Sequence, residues 1–172
     1  MSILPPISYR RTDETELDLI QSLWVQLRAH HEQNSRYFKR RYKQMTWEGR
    51  KASLVAKVVA GARMQVVLAE NNDDGGLIGY CINSVEISSD PVFIGNNRTT
   101  GEIDSIFVLE ERRGEGIGDA LMKIAIEWLD ENHVASKKVV VADGNETAWT
   151  FYQRYGFYPK FHTLEQVAPE IE

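Results

Sequence analysis

Arg113-Gly114-Glu115-Gly116-Ile117-Gly118 places three glycines at alternate positions. Without a Cβ, such a backbone can turn its N–H groups outward and let a ligand come close. Leu121, Ile124, Ala125, Trp128 and Leu129 follow at helical spacing, so the loop opens an amphipathic helix. The unpaired first-turn N–H groups and the helix dipole then make an anion site suited to a pyrophosphate. A plain strand-to-helix turn is the alternative, though three alternating glycines cost more chain entropy than such a turn requires. Two other phosphate motifs fail here. A P-loop ends in Gly-Lys-Ser/Thr, whereas Gly118 is followed by Asp119 and Ala120. A dinucleotide fingerprint needs a glycine where Asp119 stands.

Other groups could add chemistry. Asn145 and Tyr152 are seven residues apart, which is two helical turns, so both can face one ligand. As plain structure, Asn145 would be a helix N-cap and Tyr152 a core aromatic. Glu102 and Asp104 share one face of a regular strand. The adjacent His30 and His31 point roughly 100° apart on a helix. His133 and His162 are remote and no His-x-x-x-His pattern occurs, so no metal site is expected. Residues 39–43 (Lys-Arg-Arg-Tyr-Lys) form a basic run, which reads either as a solvated face or as a contact for a phosphate or an acidic acceptor.

The net charge of −5 weighs against wrapping nucleic acid. A single cysteine, Cys81, allows no intramolecular disulfide and no cysteine-based zinc cluster, which fits a reducing compartment. The 172 residues amount to one domain, expected to span residues 1–172. No apolar run is long enough to span a membrane, and the first six residues lack the apolar core of a secretory signal. The expected location is cytoplasmic.

The elements that must position these groups are legible in part. A short strand over residues 7–10 precedes Asp13-x-x-Glu16, which has the form of a capping box. Leu17, Ile20, Trp24 and Leu27 then recur on one helical face. A second helix is read over 47–59, with Gly49 inside it, and residues 30–45 stay unassigned. Residues 65–69 and 77–82 read as a hairpin joined by Asn71-Asn72-Asp73-Asp74-Gly75-Gly76. Residues 86–100 form a polar loop long enough to line a site. In the strand over 102–108, apolar alternation slips by one between Ile103 and Ile106. Either a β-bulge or burial on both faces would do this. A helix over 118–131, a valine-rich strand over 138–142 read as central, a helix over 145–155 capped by Gly156, and a last strand over 157–164 complete an α/β pattern.

With these surroundings the chain resembles the GNAT superfamily of N-acetyltransferases. The first family motif is a strand followed by Arg/Gln-x-x-Gly-x-Gly/Ala opening a helix, matched by residues 103–108 and 113–118. The second is a strand, then Asn, Ala, and a Tyr followed by Gly-Phe, matched by residues 139–142, Asn145, Ala148, Tyr152 and Gly156-Phe157. The resemblance covers roughly residues 101–160. It implies a mixed, twisted sheet of about six to seven strands flanked by helices, with a β-bulge in the cofactor strand. It implies an acetyl-coenzyme A donor, no metal, and a primary amine acceptor attacked directly in a ternary complex. Backbone groups of Ile106, Phe107 and Val108 would bind the pantetheine arm, with the Val108 N–H aimed at the thioester oxygen. Arg113, Gly114, Glu115, Gly116, Ile117, Gly118 and Asp119 would hold the pyrophosphate, Asn145 would hydrogen-bond the pantetheine, and Tyr152 would reach the sulfur as general acid. Glu102 is the preferred base, with Asp104 or a water chain as alternatives; a charge that merely binds a cationic acceptor is the plainer reading. A homodimer is compatible with the fold, and a nucleic-acid or membrane partner is not expected. A non-catalytic acyl-coenzyme A sensor or assembly module of the same fold is the alternative function.

Overall fold

The computed structural model describes residues 6–87 and 98–167. Most of the polar loop expected over 86–100 and the first five residues lie outside them. The N-terminal strand β1 (Ile7–Thr12) leads through a 3₁₀ segment (Glu14–Ile20) into helix α1 (Gln21–Asn34). The short α2 (Lys39–Gln44) and then α3 (Trp47–Val59) follow. The capping residue is Asp13, whose Oδ1 accepts from the Thr15 N–H. Glu16 does not close the expected box but pairs with Arg10 instead, and the chain kinks at Glu16 before α1 begins. Thr46 caps α3 by accepting from the Gly49 N–H, so Gly49 sits in the first turn, where it does little harm.

Strands β2 (Arg63–Asn71), β3 (Leu77–Ile87) and β4 (Thr99–Val108) are antiparallel neighbours, and β5 (Ser136–Val139) adds in parallel beyond β4. The sheet order is β1-β2-β3-β4-β5. Helix α4 (Ile117–Glu131) crosses over from β4 to β5, and α5 (Glu146–Gln153) follows β5. Two apolar layers result. On one sheet face Leu17, Ile20, Trp24 and Leu27 pack with Trp47 and Leu54 against Val66, Leu68, Tyr80, Ile82 and Phe107. On the other, Leu121, Met122, Ala125 and Leu129 of α4 and Tyr152 of α5 pack against Val67, Cys81, Val85 and Ile103.

The slip in β4 is a bulge. Ile82 pairs with Ser105 and Asn83 with Ile103, so Asp104 is the extra residue.

Three expectations need correction. The sheet has five strands among the described residues, not six or seven. Residues 157–167 form no strand; Pro159 removes one ladder donor there, and Tyr158, Phe161 and Leu164 are exposed. The valine-rich stretch expected as a strand over 138–142 enters β5 only at Lys138 and Val139, and β5 is the edge of the described sheet rather than central. Val139 and Val141 pack on the α4 layer while Val140 is 79% exposed. That is alternation, not burial on both faces.

Candidate active site

The site grows from the place where two parallel strands part. β4 and β5 are paired from Thr100↔Ser136 to Ile103↔Val139 and no farther. From the Asp104 bulge onward, the β5 side of β4 is unpaired among the described residues. Ladder alternation fixes which backbone groups face that gap. Leu109 N–H donates to the Ile78 carbonyl at 2.9 Å, and Val108 stands opposite Gly79. In an antiparallel pair, bonded and non-bonded positions alternate. Phe107 therefore spends its amide and carbonyl on Tyr80, while Ile106 and Val108 turn theirs toward the gap. Of Ile106, Phe107 and Val108, the first and last thus turn backbone groups to the gap, and Phe107 does not. The Val108 carbonyl accepts from Arg113 Nε at 3.2 Å, so its N–H is the group left for a ligand.

The glycine loop closes one end of the gap. Gly114 and Gly116 have φ of +85° and +81°, a left-handed backbone that glycine adopts without strain. A Cβ at either position would meet no protein atom within 4 Å, so the space in front of both is open. Gly116 is the N-cap of α4 and brings no side chain to it. The N–H groups of Ile117, Gly118 and Asp119 therefore lack helical partners.

The acidic side chains nearby are tied off. Glu115 takes a bidentate ion pair from Arg112 at 2.8–3.0 Å, which holds its carboxyl below the usual range. Asp119 bonds the Tyr155 hydroxyl and meets Arg154 at 3.1 Å. Burial and the hydrogen bond to Asp119 push the Tyr155 phenol up to about 12. Asp119 therefore offers the loop its amide, not its charge. Arg113 folds back over the Phe107 ring, its guanidinium carbon 5.7 Å from the ring centroid.

On the far side of the gap, Asn145 caps α5, its Oδ1 accepting from the Ala148 N–H at 3.1 Å. This cap uses only the oxygen and leaves the side-chain NH₂ as a donor. Tyr152 is 6% exposed and packs edge-on to Phe151 and Phe157. Burial raises its pKa, so the phenol is protonated at neutral pH. It is a core aromatic.

The opposite face of the bulge carries a charge network that no motif announced. Lys57 of α3 meets Asp104 at 2.6 Å, Glu102 at 3.0 Å and Glu86 at 3.2 Å. Lys138 of β5 meets Glu102 at 3.2 Å, and Ser84 Oγ donates to Asp104 at 2.5 Å. Burial pushes the Glu102 carboxyl up, but hydrogen bonds and charge from Lys57 and Lys138 outweigh it and hold it below the usual glutamate range. The Asp104 side chain is 2% exposed. Glu102 and Asp104 do share a face, as expected, but as ion-paired groups. Lys57 was missed because one lysine on a helix carries no signal until the topology brings that helix over β4.

The α1–α2 corner reaches across to the β5–α5 loop. The Arg36 N–H donates to Asp143 at 2.8 Å and its guanidinium pairs with Glu146. Gly144 lies so near the Asn34 carbonyl that a Cβ would come within 2.0 Å of its oxygen. His31 is packed on Tyr42; burial and then the neighbouring His30 lower its pKa to about 4, so it is neutral at physiological pH. The basic run is the exposed α2, on the α1–α3 layer, with Arg41 paired to Glu165 at 2.6 Å. Among the described residues no cluster of three or more His, Cys, Asp or Glu could hold a metal ion, and no helix is long and apolar enough to cross a membrane.

Comparison with known proteins bears on this arrangement. The family model of the acetyltransferase (GNAT) family matches residues 19–157. Mycothiol acetyltransferase of Acidimicrobium ferrooxidans is 31% identical over 91 residues, 53% of this chain and 27% of that protein. Streptothricin acetyltransferase A of Bacillus subtilis is 29% identical over 118 residues, 61% of this chain and 65% of that protein. The chain thus spans about a quarter to just under two thirds of the length of these two relatives. Among solved structures, AAC(6')-Iy in complex with the bisubstrate analog CoA-S-monomethyl-acetylneamine superposes with a TM-score of 0.66. That match is 17% identical and covers 95% of this chain and 99% of the other. It shares the fold.

Proposed function

The chain belongs to the acetyltransferase (GNAT) family, and from that premise we propose that it transfers an acetyl group from acetyl-coenzyme A to a primary amine within a ternary complex. The observation that carries this reading is the parting of β4 and β5 beside an open glycine loop. A pantetheine arm can run along a strand edge where the Ile106 backbone groups and the Val108 N–H are unspent. A pyrophosphate suits the free N–H groups of Ile117, Gly118 and Asp119 at the start of α4. Arg112 and Arg154 support this by drawing the Glu115 and Asp119 carboxylates into ion pairs. Asn145 is proposed to give its side-chain NH₂ to the pantetheine.

For the chemistry, the Val108 N–H stabilises the thioester oxygen as negative charge develops. Tyr152 gives its proton to the departing sulfur. Glu102 accepts the proton of the attacking ammonium, directly or through water. Lys57 and Lys138 hold the Glu102 carboxyl below the usual glutamate range. Such a carboxylate is already ionised at neutral pH, so the rise of rate with pH follows the acceptor's ammonium, not Glu102. Location in the cytoplasm and a homodimeric state are compatible with this reading. An acyl-coenzyme A-binding module without turnover is less favoured, since the chain keeps Tyr152 where the family motif has its tyrosine.

An amine panel incubated with acetyl-coenzyme A and read by thiol release is the test. Thiol release with at least one primary amine is expected. Tight coenzyme A binding with no release for any amine would favour the binding module.

A further inference from the structure

We infer that the pocket between α2 and α3 takes the carboxylate of the acceptor, with Arg50 as its docking group, so that the substrate class is a small amine that also bears a carboxylate. The inference rests on the acetyl-transfer reading above. The pocket has a volume of about 330 Å³ and is lined by Gln44, Met45, Thr46, Gly49, Arg50 and Ser53. Its lining thus holds one cation and no anion.

Thr46, Gly49, Arg50 and Ser53 recur at the spacing of one helix face. Lys57, one turn beyond Ser53, continues that face to the carboxylates of Glu102 and Asp104. The α3 surface therefore runs from the pocket to the bulge, where β4 and β5 part. Arg50 itself reaches the bulge, its Nη2 donating to the Asp104 backbone carbonyl at a long 3.3 Å.

Arg50 meets no carboxylate at ion-pair distance among the described residues. One long bond to a carbonyl leaves most of its five donors for a ligand, and a guanidinium fork matches a carboxylate in two parallel bonds. Arg28 adds a second positive charge at the wall, donating to the carbonyls of Lys43 and Met45 at 3.2 and 3.1 Å. The charges are thus ordered along the acceptor face: guanidinium at the pocket, and at the bulge three carboxylates, Glu86, Glu102 and Asp104, against two cations, Lys57 and Lys138. An acceptor with an ammonium at one end and a carboxylate at the other fits that order. It would bring its amine to the strand carboxylates and its acid group to Arg50.

The experiment pairs amino acids with the amines left by removing their carboxylates: β-alanine with ethylamine, phenylalanine with phenethylamine, lysine with cadaverine. Rates are measured with acetyl-coenzyme A for the wild type, Arg50→Gln and Arg50→Lys, each first shown to be folded by its melting temperature. The wild type is expected to favour the carboxylate-bearing member of the preferred pair by about 10–100-fold in kcat/KM, the size of a charge-assisted contact. In Arg50→Gln that ratio collapses toward one, through KM rather than kcat, and Arg50→Lys restores part of it. A wild type that prefers the decarboxylated amines, or a ratio unchanged in Arg50→Gln, overturns the inference. If no amine of either kind is acetylated, the acetyl-transfer reading fails on its own. Calorimetric binding of the same amino acids to the coenzyme A-loaded proteins then judges the pocket: binding lost in Arg50→Gln supports it, and equal binding overturns it.

Discussion

The two walls of the candidate site are built in opposite ways. The proposed donor wall is backbone: the open edge of β4 at Ile106 and Val108, and the amides that follow Gly116. Its charged side chains, Glu115 and Asp119, are held by Arg112 and Arg154. The proposed acceptor wall is side chain: Lys57, Glu86, Glu102, Asp104 and Arg50, brought from α3, β3 and β4. A backbone wall can read only what every donor molecule shares, a pyrophosphate and an amide-bearing arm. A side-chain wall can be changed one residue at a time without disturbing the strand that carries the donor.

Substitutions can sharpen or break this contrast. The largest effect is expected from Tyr152→Phe, which removes only the hydroxyl. Single-turnover acetyl transfer should slow by ~10²–10⁴-fold while coenzyme A affinity changes little. A fully active, stable variant would remove the phenol from the chemistry; a loss of melting temperature with no specific loss of rate would make it structural only.

Gly116→Val comes next. The backbone there is at φ +81°, so a branched side chain strains the turn and crowds a ligand, though it meets no protein atom within 4 Å. Acetyl-coenzyme A should bind about 10–100-fold more weakly by calorimetry, in line with ~1–3 kcal/mol of backbone strain and lost contacts. Unchanged affinity in a folded variant would take the donor wall out of the backbone account.

Lys57→Met tests the other wall. It leaves the buried Asp104 carboxylate without its main counterion and should cost about 2 kcal/mol of stability. The pH sense follows from Glu102, whose folded pKa lies below its unfolded value. The ion pairs stabilise fully above the ordinary glutamate range near ~4.3. That stability is lost as pH falls through the lowered folded value. Melting temperatures measured from pH 7 down to pH 3 should therefore converge for the wild type and Lys57→Met. Curves that stay parallel would show that the network carries no such linkage.

The smallest effect is expected from Glu102→Gln, about a tenfold loss of rate, greatest at low pH where the amine is hardest to deprotonate. A rate unchanged across pH 6–9 would pass the proton to Asp104 or to water.

The same contrast explains what the sequence made legible. The donor wall is local: three alternating glycines, a slip of alternation at Ile103 and Ile106, and an N-cap asparagine all lie within short windows. The structure has the bulge at Asp104, the left-handed Gly114 and Gly116, and the cap at Asn145. The proposed acceptor wall depends on contacts between residues 29–54 positions apart, such as Lys57 with Glu86 and Arg50 with Asp104. Nothing local marks them, and residues 30–45 could not be assigned because α2 buries none of its side chains and so has no apolar stripe. The misread β5 has a related cause. A run of valines fits a central strand, and only the topology shows Val140 turned outward at an edge.

Amide hydrogen exchange on β4 and the start of α4, with and without acetyl-coenzyme A, tests the donor wall most directly. The account predicts new protection at the N–H groups of Ile106, Val108, Ile117, Gly118 and Asp119, and little change at Phe107, whose amide is already spent on β3. Protection confined to α2 or α3, with Ile106 and Val108 exchanging as before, would contradict it.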